Sequence, residues 1–280
     1  MVKKLAVMGT KGGCGKTTIS HFILPYFFSK YYQTKNIVVA EFESVNLSRE
    51  NKYKNSCITY LYDDLTDIEK TKHFFENLDE NNYYIFDVGR HKDLDKIIEN
   101  LSKNSVNDMV FVFPFELNNA SFYEAEITYK RVLKKYGEIK TVFVINRMTF
   151  RYDDGGKPYK EFLNNEDILL SLKKADIDMM DILKDENVHL SYIPEMPELL
   201  PNVLYSMDGC CLDICSEYLQ GQSGSIQRKN LKKSIKNKKT SRDKQKELYV
   251  DGIRDINRRG ELFKMLHYCK VFYSAINRFN

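Results

Sequence analysis

Two lysines five residues apart, Lys11 and Lys16, bracket Gly12, Gly13, Cys14 and Gly15 in the run MGTKGGCGKTT, Met8 to Thr18. Residues 9 to 17 match G-x-x-x-x-G-K-[ST], with the apolar Leu5-Ala6-Val7 shortly before and a helical pattern from Lys16 directly after. The chemistry this favours is phosphate capture. Glycines at 12, 13 and 15 let successive backbone N–H groups converge on phosphate oxygens, and the positive end of the following helix adds to that field. Lys16 is expected to reach the β- and γ-phosphates of a nucleotide, and Thr17, next to Thr18, to offer its hydroxyl to Mg2+. Lys11 is a second cation near the first, which points to a polyanion between them.

Such a loop needs a strand to launch it and a helix to receive it. A chain of 280 residues accommodates one α/β domain of roughly 200 residues plus an appendage. Short apolar runs at 3–9, 36–42, 83–88, 108–115, 141–147 and 188–194 are expected as strands, alternating with helical patterns at 16–32, 67–78, 92–103, 119–136, 165–184 and 205–219. The runs are continuously apolar rather than alternating, so both sheet faces are expected to be covered, as in a doubly wound, mostly parallel sheet. The insert RYDDGGKPYK, 151–160, reads as a surface loop.

With its second lysine, KGGCGKTT resembles the deviant Walker A motif of the ParA/MinD family of ATPases. The resemblance extends in order over residues 3 to about 219 and implies a phosphate-loop α/β fold, ATP/ADP and Mg2+ as cofactors, and an ATP-dependent homodimer. It implies that Lys11 reaches the nucleotide of the partner subunit. AEFESVN places Glu41 and Glu43 where the family has aspartates. The extra methylene at Glu43 shifts the hydrolytic carboxylate, and misplacement by about an ångström can cost about a hundredfold in rate, so hydrolysis is expected to be slow and partner-stimulated. YYIFDVG resembles the family's Walker B strand, making Asp87 the Mg2+-side carboxylate, through water. FVINR resembles the strand whose asparagine reads adenine, here Asn146 with Arg147 beside it. SYIPE resembles a late segment lining the adenine pocket, here Ile193, Pro194 and Glu195. With no cysteine between Cys57 and Cys210, an iron–sulfur cluster is not expected.

Charge divides the chain. Residues 222–246 hold ten Lys/Arg against one Asp and residues 247–280 six against four, so with a net charge of +4 the tail carries about +11 and the first 221 residues about −7. Three regions are expected: an ATPase domain at 1–220, a basic flexible linker or arm at 221–246, and an amphipathic helical segment at 247–280. Arg228, Lys229, Lys232, Lys233, Lys236, Lys238 and Lys239 of the arm suit nonspecific contact with DNA phosphates. The apolar stripe of the last segment has three candidate homes: the body, a partner protein or a membrane. The six cysteines lack paired zinc spacing, and no apolar run is long enough to span a bilayer, so a cytoplasmic chain with reduced thiols is expected. The resemblance implies a nucleotide switch in plasmid or chromosome partition, answering to a centromere-binding or other stimulating partner. The alternatives are a positioning switch of the MinD or conjugation type on a membrane or protein complex, and a nucleotide-binding module that barely hydrolyses.

Overall fold

The apolar runs form one parallel sheet. The computed structural model describes residues 2–10, 12–34, 36–42, 58–62, 68–89, 91–100, 108–148, 165–195, 221–237 and 241–280. Lys11, Glu43, Lys238, Lys239, the 151–160 insert and the 205–219 helical pattern lie outside the described residues. The strands are β1 Lys4–Met8, β2 Ile37–Phe42, β3 Ile58–Tyr62, β4 Tyr83–Val88, β5 Met109–Glu116, β6 Lys140–Met148 and β7 Val188–Pro194. Their order is β3-β2-β4-β1-β5-β6-β7, each parallel to its neighbours. From β1 the chain builds outward on one side, returns to β4, then crosses to β5. The topological switch point therefore lies beside β1, where α/β sheets place ligands outside the carboxyl ends of their strands.

The first helix, α1, is continuous through three pieces: α-helical Lys16–Thr18, a π-helical turn Ile19–Ile23, and α-helical Leu24–Tyr31. Then follow α2 Ile68–Glu76, α3 His91–Asn100, α4 Asn119–Tyr136, α5 Asn165–Lys174, α6 Gly224–Lys236, α7 Arg242–Tyr268 and α8 Lys270–Asn277. Alternation within each strand feeds two cores. Leu5, Val7, Ile85 and Val112 face α1 and α8, while Ala6, Met8, Phe86 and Phe111 face the side that collects Leu94, Phe122, Tyr129 and Leu172 from α3, α4 and α5.

One expectation for the tail is corrected, and one left open is decided. Residues expected as a flexible arm are helical over α6 and the start of α7. Amid the charge, Gln227, Leu231 and Ile235 recur at four-residue spacing and share one side of α6. Leu231 lies so close to Gly252 of α7 that a Cβ there would stand 2.6 Å from Leu231 Cδ2, and Arg228 donates to Asn257 Oδ1 at 2.7 Å. The terminal apolar stripe is core. Leu266, Cys269, Phe272, Tyr273, Ala275 and Ile276 are buried with the inner face of α1, and Tyr273 stacks on Phe27 with ring centroids 5.3 Å apart. Burial pushes the Cys269 thiol up to about 12. Of the three candidate homes for this apolar face, the body is the one that occupies it. Among the described residues, no helix is long and apolar enough to cross a membrane.

Candidate functional site

The loop leaving β1 turns through two glycines that need their freedom: Gly13 has φ 83° and Gly15, the residue before α1, has φ 95°. Positive φ at these points is what turns consecutive N–H groups into a concave anion cradle ahead of a helix. Lys16 opens α1, and its Nζ lies 3.9 Å from Cys14 Sγ. Gly12 is exposed, while Lys16, Thr17 and Thr18 are half-buried at the cradle's rim. Cys14 turns its side chain inward. Its side chain is 1% exposed, and burial raises its thiol above the ordinary range, which keeps it protonated and unreactive.

The back of the loop is sealed by Asn146. Its Nδ2 donates to the Cys14 carbonyl at 3.0 Å, and a Cβ on Gly15 would stand 2.3 Å from that nitrogen. The placement comes from an irregularity. The β6–β7 register shifts between Ile145 and Met148, and Arg147 adopts φ 58°, a left-handed conformation uncommon for a residue with a side chain. Arg147 thereby turns outward to pair with Glu116 at 3.2 Å while Asn146 turns in. The resemblance implied base recognition by Asn146; in the structure its amide nitrogen serves the loop. Ile193 and Pro194 are buried where β7 ends beside β6, and Glu195 is exposed with its N–H donating to Met148. All three lie at the sheet edge that carries Asn146.

Across β1, Asp87 stands in register with Val7 on one side and Glu41 on the other. It is 4% exposed and accepts a 2.7 Å hydrogen bond from Ser20 Oγ. Burial alone would raise its carboxyl, but the adjacent His21 imidazole, the Ser20 hydrogen bond and Lys16 outweigh it and hold the group below the ordinary carboxylate range. The same serine oxygen lies 3.4 Å from the Thr17 carbonyl, so Ser20 links the backbone of Thr17 to the Asp87 carboxylate. Among the described residues, no group of three or more His, Cys, Asp or Glu is arranged to hold a metal ion by itself. The donors present, an ionised carboxylate and a threonine hydroxyl beside an anion cradle, fit Mg2+, which takes few protein ligands and completes its shell with phosphate and water.

Three participants are not evident from the sequence. Ser20 and His21 sit in the apolar run that follows the loop, and the signal available was two polar residues on a helix face otherwise made of Ile19, Phe22 and Ile23. Glu124 of α4 accepts a 2.7 Å hydrogen bond from Thr10 and tethers the front of the loop; nothing local marks it.

Fold and site define the phosphate-loop α/β class. No family model matches the chain, and no curated protein matches it. Solved structures do resemble it. One is a Borrelia burgdorferi B31 protein ascribed to plasmid partition and bound to AMPPNP, at 11% identity and TM-score 0.44, over 92% of this chain and 98% of that one. Another is a Borrelia burgdorferi plasmid partition protein, at 12% identity and TM-score 0.37, over 70% of this chain and 91% of that one.

Proposed function

We propose that this chain is a ParA-like nucleotide switch that binds ATP with Mg2+, dimerises on it and hydrolyses it slowly, in the service of plasmid or chromosome partition. The observation that carries the reading is the corner described above: a glycine cradle between β1 and α1, facing a buried, ionised Asp87 at the switch point of a parallel sheet. In this reading Gly12 to Thr18 hold the phosphates, Lys16 neutralises them, and Thr17 and Asp87 hold Mg2+, which supplies charge compensation at the β- and γ-oxygens. Lys11 extends to the partner's nucleotide, and Glu43 aligns the attacking water less closely than an aspartate. Asn146 keeps the cradle in shape from behind, and Arg147 and Ile193 to Glu195 border the base.

The DNA surface we propose is the face of α6 that carries Arg228, Lys229, Lys232, Lys233 and Lys236, all exposed, on a helix with no acidic residue. At 100° per residue the four lysines fill an arc on the side away from Gln227, Leu231 and Ile235, and Arg228 stands at its border, bonded to Asn257. Lys238 and Lys239 continue the same run in sequence. Deleting the tail is a poor test of this surface, because Leu266 to Ile276 belong to the body's core.

The deciding experiment is light scattering of molecular mass with ADP, ATP and a slowly hydrolysed analogue, paired with titration of a fluorescent ATP analogue. Native chain should bind in Mg2+ and double its mass with ATP; Lys16→Ala should lose binding, and Lys11→Ala should bind without doubling. Absence of nucleotide binding by the native chain would end this reading.

A further inference from the structure

The buried imidazole of His21 is unexplained by packing. Around it α1 buries hydrocarbon, Ile19, Phe22, Ile23 and Leu24, for which a leucine at position 21 would serve as well. Instead His21, 1% exposed, puts Nε2 3.6 Å from Glu41 Oε2 and 3.5 Å from Asp87 Oδ2. Glu41 and Asp87 are register partners on β2 and β4, both buried, so two carboxylates stand side by side in a place where like charges repel strongly. The backbone that delivers the imidazole is the π-helical turn Ile19–Ile23, a rare geometry that clusters at functional sites. It buries consecutive residues, Ser20 and His21, that both approach Asp87 Oδ2: the hydroxyl at 2.7 Å, the imidazole at 3.5 Å.

We propose that His21 is a positioning residue for the metal-side carboxylate: set 3.6 Å from Glu41 and 3.5 Å from Asp87, it bridges the two and fixes Asp87 in the orientation that receives Mg2+ beside Thr17. The proposal rests on the nucleotide-site reading above. His21 touches neither phosphate nor metal. It acts through Asp87, as outer partners of metal ligands do, and the loss of such a partner usually lowers metal affinity about 10- to 100-fold. Glu41 is its second anchor, so the need for His21 should fall once Glu41 is neutral.

The test uses the full chain as native protein, His21→Leu, His21→Gln, Glu41→Gln and the pair His21→Leu with Glu41→Gln. A fluorescent ATP analogue is titrated in EDTA, and Mg2+ is then titrated into the loaded protein. The expected result is a Mg2+ midpoint raised about 10- to 100-fold in His21→Leu, unchanged binding in EDTA, partial recovery in His21→Gln, and further recovery in the pair. An unmoved midpoint in His21→Leu, or an equal loss with and without Mg2+, overturns the proposal. Urea unfolding of the nucleotide-free proteins repeats the cycle, where additive effects of positions 21 and 41 also overturn it. If the native chain binds nucleotide in neither buffer, the site reading fails, and the unfolding cycle alone decides whether His21 couples the two carboxylates.

Discussion

Replacing Gly15 with alanine imposes two separable penalties. The first is conformational: at φ 95° and ψ 12° a side chain pays the left-handed penalty of about 1–2 kcal/mol. The second is a collision. The new Cβ would lie 2.3 Å from Asn146 Nδ2 and 2.8 Å from its Cγ, so the amide must withdraw by about an ångström to reach ordinary separation. Its 3.0 Å hydrogen bond to the Cys14 carbonyl then breaks, and leaving such buried groups unsatisfied costs about 1–3 kcal/mol. Gly15→Ala should therefore destabilise by about 2–5 kcal/mol and abolish nucleotide binding, as the sum of those two ranges. Asn146→Ala alone should cost about 1–3 kcal/mol for the orphaned carbonyl. In the double variant the collision has no target, so its cost should fall short of the sum by about 0.5–3 kcal/mol, the coupling typical of touching residues. Urea denaturation of the four proteins measures this directly. Additivity within about 0.5 kcal/mol would refute the claim that Asn146 braces the loop.

Phe272→Ala should cost about 3–5 kcal/mol in urea denaturation, as for a fully buried aromatic; a loss under about 1 kcal/mol would contradict the docking of α8 on α1. Charge-neutral substitution of Lys229, Lys232, Lys233 and Lys236 should leave the melting temperature near native. It should also reduce the log–log salt slope of DNA binding by about 0.9 for each phosphate that is no longer neutralised, read by fluorescence anisotropy at several salt concentrations; an unchanged slope would remove α6 from the DNA surface. Because Asp87 is held below its ordinary value of 3.8, its ionised form contributes stability that is fully present above that pH and is lost as pH falls through the lower folded value. Acid unfolding of Asp87→Asn should accordingly be less steep across that window than that of the native chain.

What the sequence conveyed was local. Strand positions β1, β4 and β7 and the whole of α4 follow from runs and caps contained in their own residues, as does the loop between Gly9 and Thr17. The short β3 is not legible because five residues, ITYLY, offer little pattern beside the polar stretches around them. The brace from Asn146 to Cys14 spans 132 positions, and it depends on a bulge that no local signal announces. His21 is hidden differently: among apolar neighbours it reads as a packed aromatic until Glu41 and Asp87 are brought beside it by strand pairing. The helices of the tail are obscured by their charge, since the stripe of Gln227, Leu231 and Ile235 becomes meaningful only once Leu231 meets Gly252.

The docking of α8 against α1 also sets a schedule. During synthesis the phosphate loop and α1 emerge early, yet the wall that covers Phe27 and Tyr26 is made of Phe272, Tyr273 and Ile276 and emerges more than two hundred residues later. Until then the helix that begins at Lys16 has an uncovered hydrocarbon flank, and a ribosome stalled anywhere before Leu266 holds a chain whose inner core is unfinished. The inner core is thus completed late in translation, when α8 closes over a helix made at the start.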